Sequence, residues 1–382
     1  MDRNIFDEEH ESFREVARAF YEKECVPYVE EWEAQGHVTR EVWRKAGAAG
    51  LLGFEADEQY GGLGVRDYRF NAIVAEEMYA VGAVGVGFTT HNNVVGPYLT
   101  RLANEDQRKR YLPGFVDGTC ISAIAISEPD AGSDVARIRT TAKRDGEEYV
   151  LNGAKTFITN GYLADLVVVA AKTSPDLGHR GISLFLVEAS YPGFKCGRKL
   201  DKIGLRSRDT AELFFDDVRV PAENLLGELD RGFYHLMTNL AEERLTAAIV
   251  GVASMRRAIE LTTEHVRNRK VFGAGLGDLQ ATRFTMADVL ADTMAAQAWV
   301  DRMILEVNAG HLSAEDAAAV KFWVTERQFD VLDRCLQLFG GYGYMNEYEI
   351  ARLWRDGRVQ RIYAGSNEVM REIVGRAMKL SG

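Results

Sequence analysis

The sequence is poor in the residues that build disulfide frameworks and metal sites. Among its 382 residues it has four cysteines, Cys25, Cys120, Cys196 and Cys335, and none of them is spaced as in a C-x-x-C motif. No two of the seven histidines stand three or four residues apart. We therefore expect neither a disulfide scaffold nor a metal site, and the free thiols suit a reducing cytoplasm.

The chain also has no excess of positive charge and no long apolar run. The chain has 46 Lys and Arg against 57 Asp and Glu, a formal net charge of −11. Nucleic-acid binding depends on cationic contacts to phosphate, so such a partner is not expected. No apolar run approaches bilayer length, and the acidic start MDRNIFDEEHESF resembles neither a signal peptide nor an arginine-rich transit peptide. We expect a cytoplasmic protein without a membrane span.

The length of the chain predicts two or three domains, and the first of them is helical. Phe13, Val16, Ala17 and Phe20 recur at helical spacing. Residues 1–120 are therefore predicted to form a helical domain. Its further helices are predicted over residues 40–50, 68–79, 81–102 and 104–114, the last closed by Pro113-Gly114.

After Cys120 the pattern alternates with period two, which is typical of strands. Asn152-Gly153 within YVLNGAKTFI predicts a hairpin turn. Because the connections are too short for helical crossovers, we expect a mostly antiparallel sheet, as a small barrel or sandwich, over residues 121–231. Its strands are predicted at residues 148–158, 166–171, 182–187 and 213–220.

From Gly232 the pattern is helical again. Apolar residues from Leu245 to Ile259 recur every three or four positions and predict one long helix that ends near Asn268. The fold class is therefore α+β, with a C-terminal helical domain over residues 232–382. Its other helices are predicted over residues 279–309, from the capping Ser313 to Phe339, and from residue 366 or 367 onwards.

A candidate binding loop follows the first strand of the β domain, in ISAIAISEPDAGSD (121–134). Pro129 stops any strand ladder, and Gly132-Ser133 leaves N–H groups and a hydroxyl accessible to an acceptor-rich ligand. The loop lies at the boundary between two architectures, a common place for a cofactor cleft. The alternative is an ordinary surface turn.

Two further segments could contact a flat heterocycle. KTFITNG (155–161) places Phe157 and Thr159 on one side of a strand, where they could stack on and hydrogen-bond to a ring, although Phe157 could instead fill the core of the sheet. Gly340-Gly341 would let a backbone come close to a ligand. Ala364 to Glu368 is a small-residue turn that could hold an anion or a ring at a helix start. Each signal alone is weak.

LAEERL (240–245) carries two adjacent acids, Glu242 and Glu243. On a helix they point about 100° apart, so they cannot face the same way. Two acids near a helix start usually face water and favour the helix dipole. The alternative is that one of them, among apolar neighbours, is a general base with a raised pKa.

Together these segments resemble the acyl-CoA dehydrogenase family over essentially the whole chain. ISEPDAGSD, KTFITNG, RKVFG (269–273), QLFGG (337–341) and YAGSNE (363–368) occur in the family's order and spacing. The resemblance implies an N-terminal helical domain, a central β domain and a C-terminal four-helix bundle, with FAD between the last two.

The resemblance also implies the residues that hold the FAD. Those expected to line the flavin and its pyrophosphate are Ile124, Ile126, Ser127, Gly132, Ser133, Phe157, Ile158 and Thr159. Those expected to hold the FAD of a neighbouring subunit are Arg269, Gln280, Gln337, Leu338, Phe339, Gly340 and Gly341. Phe272 is also expected to bind the cofactor. Ser366, Asn367 and Glu368 match the turn that contacts the adenine side. The shared site implies a homo-oligomer, usually a tetramer.

The resemblance assigns acyl-CoA contacts as well as the cofactor. They match Ser133, Tyr234, Arg244, Ala364 and Gly365. Most family members carry their catalytic glutamate where this chain has Ala364, which cannot take a proton. The sequence of residues 193–221 is similar to that of the long-chain branch. In that branch and in the isovaleryl-type branch the base is a glutamate that Glu243 matches, and Glu242 is expected to be a solvated neighbour.

The implied reaction is α,β-dehydrogenation of an acyl-CoA thioester. Glu243 would remove the α-proton while hydride leaves to flavin N5, giving a trans-2-enoyl thioester, as in fatty-acid β-oxidation. The ribityl hydroxyl and the Ala364 N–H would polarise the carbonyl. Electron-transferring flavoprotein would reoxidise the FAD. The alternatives are a flavin monooxygenase, a non-enzymatic or DNA-associated relative, or a dehydrogenase acting on an acyl carrier protein thioester.

Overall fold

The computed structural model of the protein describes residues 3–379. Its N-terminal part, up to residue 120, is mostly helical, and the first strand of the sheet begins at Ser122. The helices of this part are α1 Glu8–Glu24, α2 Val29–Gln35, α3 Arg40–Ala48, α4 Tyr68–Ala80 and α5 Glu105–Asp117.

The helix predicted over residues 81–102 forms only from residue 88 onwards, and it is not a regular α-helix. Residues 81–87 form a loop, and two π-helical segments follow, Thr90–Val95 and Tyr98–Leu102. Pro97 stands between them and has no N–H to donate, so a regular helical ladder cannot run through it. Such π-helical turns are frequent at functional sites.

The predicted end of α5 is also wrong, because the helix continues through Pro113-Gly114 to Asp117. The helix stops only at Gly118, whose φ of 75° is left-handed. Side chains of this helix, such as Phe115, are buried, and this packing outweighs the local preference of proline and glycine.

Residues 121–231, all of which the structure describes, contain one eight-stranded sheet. Its order is β6-β7-β3-β2-β4-β5-β8, with β1 beside β4. Only the β1–β4 and β2–β4 pairs are parallel, so the mostly antiparallel prediction is confirmed. The strands are β1 Ser122–Ala125, β2 Thr141–Asp145, β3 Glu148–Thr159, β4 Leu166–Lys172, β5 Ile182–Glu188, β6 Phe194–Lys199, β7 Thr210–Pro221 and β8 Leu225–Leu226.

The hairpin predicted at Asn152-Gly153 is wrong, because β3 runs straight through these residues. The register of β3 against β7 shifts there, so the pair forms a bulge rather than a turn. Gly153 is required at this point because a Cβ would lie 2.7 Å from the Cα of Thr140. The tight turn lies at Gly146, between β2 and β3.

The C-terminal part is built on three long helices, as predicted. α6 packs against α8 and α7, and it also contacts α4 of the N-terminal part. No helix among residues 3–379 is both long and apolar enough to cross a bilayer. The elements are α6 Gly232–Asn268, the short strands β9 Lys270–Val271 and β10 Ala274–Gly275, α7 Gln280–Asn308, α8 Ala314–Phe339, α9 Glu349–Gly357 and α10 Asn367–Ala377.

Candidate active site

Glu243 lies on α6, in the part of the helix that packs against the N-terminal domain. Its Oε1 is buried and has no hydrogen-bond partner among the described residues. Burial raises the pKa of Glu243 to about 8; the charge of Arg244 opposes this rise and the charge of Glu242 adds to it. A carboxyl group in such surroundings is suited to take up a proton near neutral pH.

Tyr98 lies near Glu243 and comes from the second π-helical segment. Its side chain is buried, and its hydroxyl makes no hydrogen bond within residues 3–379. Burial raises the pKa of Tyr98, the charge of Glu243 raises it further, and the nearby side chain of Asn239 opposes the rise. No pattern in the sequence pointed to this residue, because its segment was predicted to be an ordinary buried helix.

Glu242 is not the solvated neighbour that the resemblance implied. It lies ten residues inside α6, and its carboxylate accepts hydrogen bonds of 2.5 and 3.1 Å from Arg101. Its carbonyl oxygen lies 2.8 Å from the hydroxyl of Tyr68 and accepts a hydrogen bond of 3.1 Å from Thr246. Glu242 is therefore an ion-paired residue behind Glu243, and both acids lie in the body of the helix.

A buried lysine that sequence reasoning missed holds the last turn. Lys321 on α8 donates to the carbonyl oxygen of Gly365 (2.8 Å) and to Oδ1 of Asn367 (2.9 Å). Burial, together with the nearby charge of Arg244, lowers the pKa of Lys321 to about 7. Arg244 is itself buried, and burial lowers its pKa. The only signal in the sequence is a lone lysine inside the apolar run AAAVKFWV.

The turn between residues 364 and 368 is fixed in an unusual backbone conformation. Ala364 and Gly365 have positive φ of 54° and 88°. The hydroxyl of Ser366 accepts from the N–H of Val369 and so caps α10. The N–H of Ala364 donates to no group within residues 3–379, so it is free to bind a ligand oxygen.

Two of the residues assigned to the cofactor in this turn differ in exposure. Asn367 is buried, and its side chain is engaged with Lys321, Thr325 and Glu326. Any contact of Asn367 with a cofactor would therefore come from its backbone. Glu368 is exposed.

The candidate loop after β1 is held from below by a buried ion pair. Lys155 on β3 donates to Oε1 of Glu128 (2.8 Å) and to the carbonyl oxygen of Ile126 (2.9 Å). Glu128 also accepts from the backbone N–H of Arg139 and Thr140. Burial lowers the pKa of Lys155 to about 8, although Glu128 opposes this. The two residues lie within ISEPDAGSD and KTFITNG, but sequence reasoning assigned neither of them a role.

The upper side of the same loop is open. Ser127 is half-buried, and its carbonyl oxygen accepts from the N–H of Thr156. Gly132 and Ser133 are exposed, and a Cβ at Gly132 would meet no atom within 4 Å. Ile124 and Ile126 are half-buried beneath them. The backbone of this loop is therefore fixed in place yet accessible.

Phe157 does not fill the core of the sheet. Its side chain is 69% exposed and its φ is 61°, at a register break between β3 and β7. Ile158 is buried beside it, and Thr159 is half-buried. An aromatic ring exposed beside a hydroxyl can stack on a flat heterocycle, as the resemblance implied.

The remaining cofactor residues lie at the opposite end of α6. Arg269, which ends α6, is 26 residues from Glu243, roughly 39 Å at the rise of an α-helix. Its guanidinium lies over the ring of Tyr342 (5.5 Å), and Phe339 stacks on His265 (4.1 Å). A Cβ at Gly340 or Gly341 would meet no atom within 4 Å. The residues of this distal group are Arg269, Phe272, Gln280 and Gln337–Gly341; Phe272, Gln280, Gln337 and both glycines are exposed, and Leu338 is half-buried.

We divide the assigned site residues into two groups within one chain. We call Glu243, the open loop and the final turn the proximal group, and the residues around Arg269 the distal group. Lys321 holds Gly365 and lies near Arg244, so it links the final turn to the part of α6 that carries Glu243. Tyr234 is exposed on α6, nine residues before Glu243, roughly 14 Å along the helix. Both groups present side-chain-free backbone at Gly132, Gly340 and Gly341, which fits a large cofactor that approaches the main chain closely.

Comparisons with known proteins cover nearly the whole chain. Family models of the N-terminal, middle and C-terminal domains of acyl-CoA dehydrogenase match residues 7–119, 123–218 and 230–379. The mitochondrial long-chain specific acyl-CoA dehydrogenase of Sus scrofa is 45% identical over 376 residues, 98% of this chain and 87% of the relative. The solved acyl-CoA dehydrogenase of Geobacillus kaustophilus is 45% identical with a TM-score of 0.97, covering 99% of this chain and 100% of the other.

The cofactor follows from the same comparisons. A glutaryl-CoA dehydrogenase of Mycobacterium smegmatis, solved in complex with FADH2, has a TM-score of 0.90 at 28% identity and covers 99% of this chain and 96% of its own. Members of the family bind FAD, which confirms the expected cofactor. This chain belongs to the acyl-CoA dehydrogenase family of oxidoreductases.

Proposed function

We propose that the protein converts an acyl-CoA thioester to its trans-2-enoyl thioester, with Glu243 as the general base. The observation that carries the proposal is the state of Glu243. Its Oε1 is buried without a hydrogen-bond partner among the described residues, so the carboxyl group has no structural task that competes with proton transfer. The position that holds the base in most family members is Ala364 here.

Protein groups prepare the proton transfer at the α-carbon. The N–H of Ala364 is free within residues 3–379 and would donate to the thioester carbonyl, which makes the α-proton more acidic. Lys321 fixes the adjacent Gly365, so the position of this donor is set before substrate arrives. Glu243 would accept the α-proton on its carboxylate, and its high pKa favours holding that proton afterwards.

FAD, when bound, supplies the oxidant that accepts the hydride of the β-carbon. The exposed loop at Gly132 and Ser133, together with Phe157 and Thr159, would hold its ring and pyrophosphate. The distal group would hold the FAD of a second copy, because it lies roughly 39 Å from Glu243 along α6. We therefore also propose a homo-oligomer, a tetramer as is usual in the family. Separately, we propose electron-transferring flavoprotein as the electron acceptor.

The first experiment is anaerobic bleaching of the flavin absorbance by a panel of acyl-CoA thioesters of different length and branching. Wild type should bleach with at least one of them, and Glu243→Gln should bleach on the order of 10²–10⁴-fold more slowly. Glu260→Gln is the matched control, because Glu260 lies on the same helix and is exposed. Equal rates for wild type and Glu243→Gln would show that Glu243 is not the base.

The panel also separates the alternative functions. Acyl carrier protein thioesters belong in it, because bleaching by these alone would identify a carrier-protein dehydrogenase. If no thioester bleaches wild type, dehydrogenation is contradicted. Oxygen uptake by the reduced flavin with an acceptor substrate then tests the monooxygenase alternative, against which the buried acid of Glu243 argues.

A further inference from the structure

Arg101 joins two acids of different domains next to the base. It contacts both carboxylate oxygens of Glu242, at 2.5 and 3.1 Å, and Oε2 of Glu55 at 3.3 Å. The two carboxylates are largely buried, at 19% and 10% side-chain exposure. Arg101 itself is 39% exposed, so solvent weakens its attraction for the two acids, but their partial burial leaves this attraction stronger than between fully exposed groups.

Glu242 is also held through its backbone. The hydroxyls of Tyr68 and Thr246 both lie within hydrogen-bond distance of the carbonyl oxygen of Glu242. Asn93 donates to Thr246 Oγ1 at 3.1 Å and thereby ties the first π-helical segment to α6. Because both the carboxylate and the backbone carbonyl of Glu242 are held, the turn of α6 that carries Glu243 has little freedom to move.

Glu243 faces a small set of other titratable groups. Glu242 and Arg244 flank it on α6, and Tyr98 faces it from the second π-helical segment. Arg101 and Glu55 form the next layer behind Glu242. Lys321 on α8 lies near Arg244, whose charge lowers the pKa of Lys321. The charge of Glu242 opposes ionisation of Glu243, and the charge of Arg101 is the group placed to cancel it.

We propose that Arg101 is a positioning residue for the base: by neutralising and anchoring Glu242, it sets the orientation and the proton affinity of Glu243. This inference rests on the proposed function, since it concerns the same base. Without Arg101, Glu242 stands as an uncompensated negative charge beside Glu243. The base then holds its proton to higher pH. Without Glu242, the base releases its proton at lower pH.

The test compares Arg101→Met, Glu242→Gln and the double variant by the pH dependence of anaerobic bleaching. In Arg101→Met the acid limb should move to higher pH, so that the rate at neutral pH falls about three- to tenfold, equivalent to a rise of about half to one in the pKa of the base. Glu242→Gln should move the limb to lower pH, and the double variant should lie between the two single variants. Arg219→Met is the matched control, because Arg219 also bridges two acids, Asp145 and Glu148, but in the β domain.

A second readout needs no substrate. The difference in melting temperature between each variant and the same variant carrying Glu243→Gln reports the ionisation of Glu243 in the resting protein. When this difference is plotted against pH, the midpoint of its change should lie at higher pH for Arg101→Met than for wild type. The inference would be overturned if this midpoint stayed at the wild-type pH in Arg101→Met. It would also be overturned if the midpoints of Arg101→Met and Glu242→Gln moved in the same direction. Failure of every thioester to bleach wild type would instead overturn the proposed function, and the two failures are therefore distinct.

Discussion

The Nζ of Lys321 lies 2.8 Å from the carbonyl oxygen of Gly365, and the lysine side chain is fully buried. Its other partner is the amide oxygen of Asn367. A buried ammonium is costly unless its donors are used, so its presence here needs a structural reason. We find that reason in the final turn, where the adjacent Ala364 holds a left-handed conformation and its N–H donates to no group in the described part of the chain.

Replacement of this lysine should therefore cost activity as well as stability. Lys321→Met leaves the oxygens of Gly365 and Asn367 without their donor, which should lower the free energy of unfolding by about 1–3 kcal/mol. The Ala364 N–H remains but is held less firmly, so we expect kcat to fall by about tenfold, less than the loss of an oxyanion donor. Steady-state kinetics and thermal melting measure the two effects.

Thr325→Val is the matched control for Lys321→Met. Thr325 also contacts Asn367, but it does not reach Gly365. It should therefore lower stability with little change in kcat. If Lys321→Met lowers the melting temperature and leaves kcat at the wild-type value, the lysine serves folding alone.

Helices and strands could be predicted from the sequence where a repeating apolar face determines their structure. α7, α8 and the end of α6 were predicted within a few residues because apolar residues repeat over many turns and are buried. The start of α6 was not, because the helix begins at Gly232, ten residues before Glu242, which was expected near its start. The motifs ISEPDAGSD and YAGSNE also located the open loop and the final turn. Short-range rules failed where distant packing decides: Asn152-Gly153 forms a bulge because Thr140 leaves room only for glycine.

The supporting side chains could not be predicted for a related reason. Lys321 and Gly365 are 44 residues apart in the chain, and Arg101 and Glu242 are 141 apart. No local pattern reports contacts over such separations, so Glu242 was expected to face water. The groups that carry the chemistry have motifs, whereas the groups that hold them are visible only in the fold.

The buried pair of Lys155 and Glu128 beneath the open loop should respond differently to loss of one charge and to loss of both. Glu128→Gln leaves the buried Lys155 without a counter-charge, which should destabilise the fold by about 3–5 kcal/mol and lower the FAD content. The double variant Glu128→Gln with Lys155→Met removes both charges and should recover part of the stability. Thermal melting and the ratio of flavin to protein absorbance measure both properties. Additive losses in the double variant would contradict a coupled pair.

The pKa of Glu243 also predicts how stability changes with pH. The carboxyl group is held neutral in the folded protein up to about pH 8, whereas its ordinary pKa is 4.5. Below pH 4.5 it is protonated in both states and makes no difference. Between pH 4.5 and 8 the unfolded chain ionises first, so the free energy of unfolding falls with a slope of about 1.4 kcal/mol for each step of one in pH. Above pH 8 the loss is complete.

Glu243→Gln removes this ionisation, so its advantage in melting temperature over wild type should grow from pH 5 to pH 8. Differential scanning calorimetry of the two proteins in the same buffers measures it. Glu260→Gln should show no such trend, because Glu260 is exposed on the same helix. A difference that stays constant with pH would mean that Glu243 ionises as an ordinary carboxylate.

The separation of the two groups of cofactor residues predicts complementation between defective subunits. Gly132 and Gly341 each have open space where a Cβ would stand and a backbone that other residues can adopt. Gly132→Val and Gly341→Val should therefore fold normally but lose FAD, because each fills the space that the cofactor needs. Gly375→Ala is the control, since its Cβ would also meet no atom within 4 Å but lies on α10, outside both groups.

If each FAD site is shared between two copies, a mixed pair of the two variants contains one site with both glycines intact. Differently tagged variants that are co-expressed and purified over both tags should then bind about one FAD per two subunits. Each variant purified alone should bind almost none. Absence of FAD from the mixed pairs would mean that both glycines serve a site within one chain, despite the roughly 39 Å that separate Arg269 from Glu243 along α6. Recovery would assign the distal group to the cofactor of the neighbouring subunit.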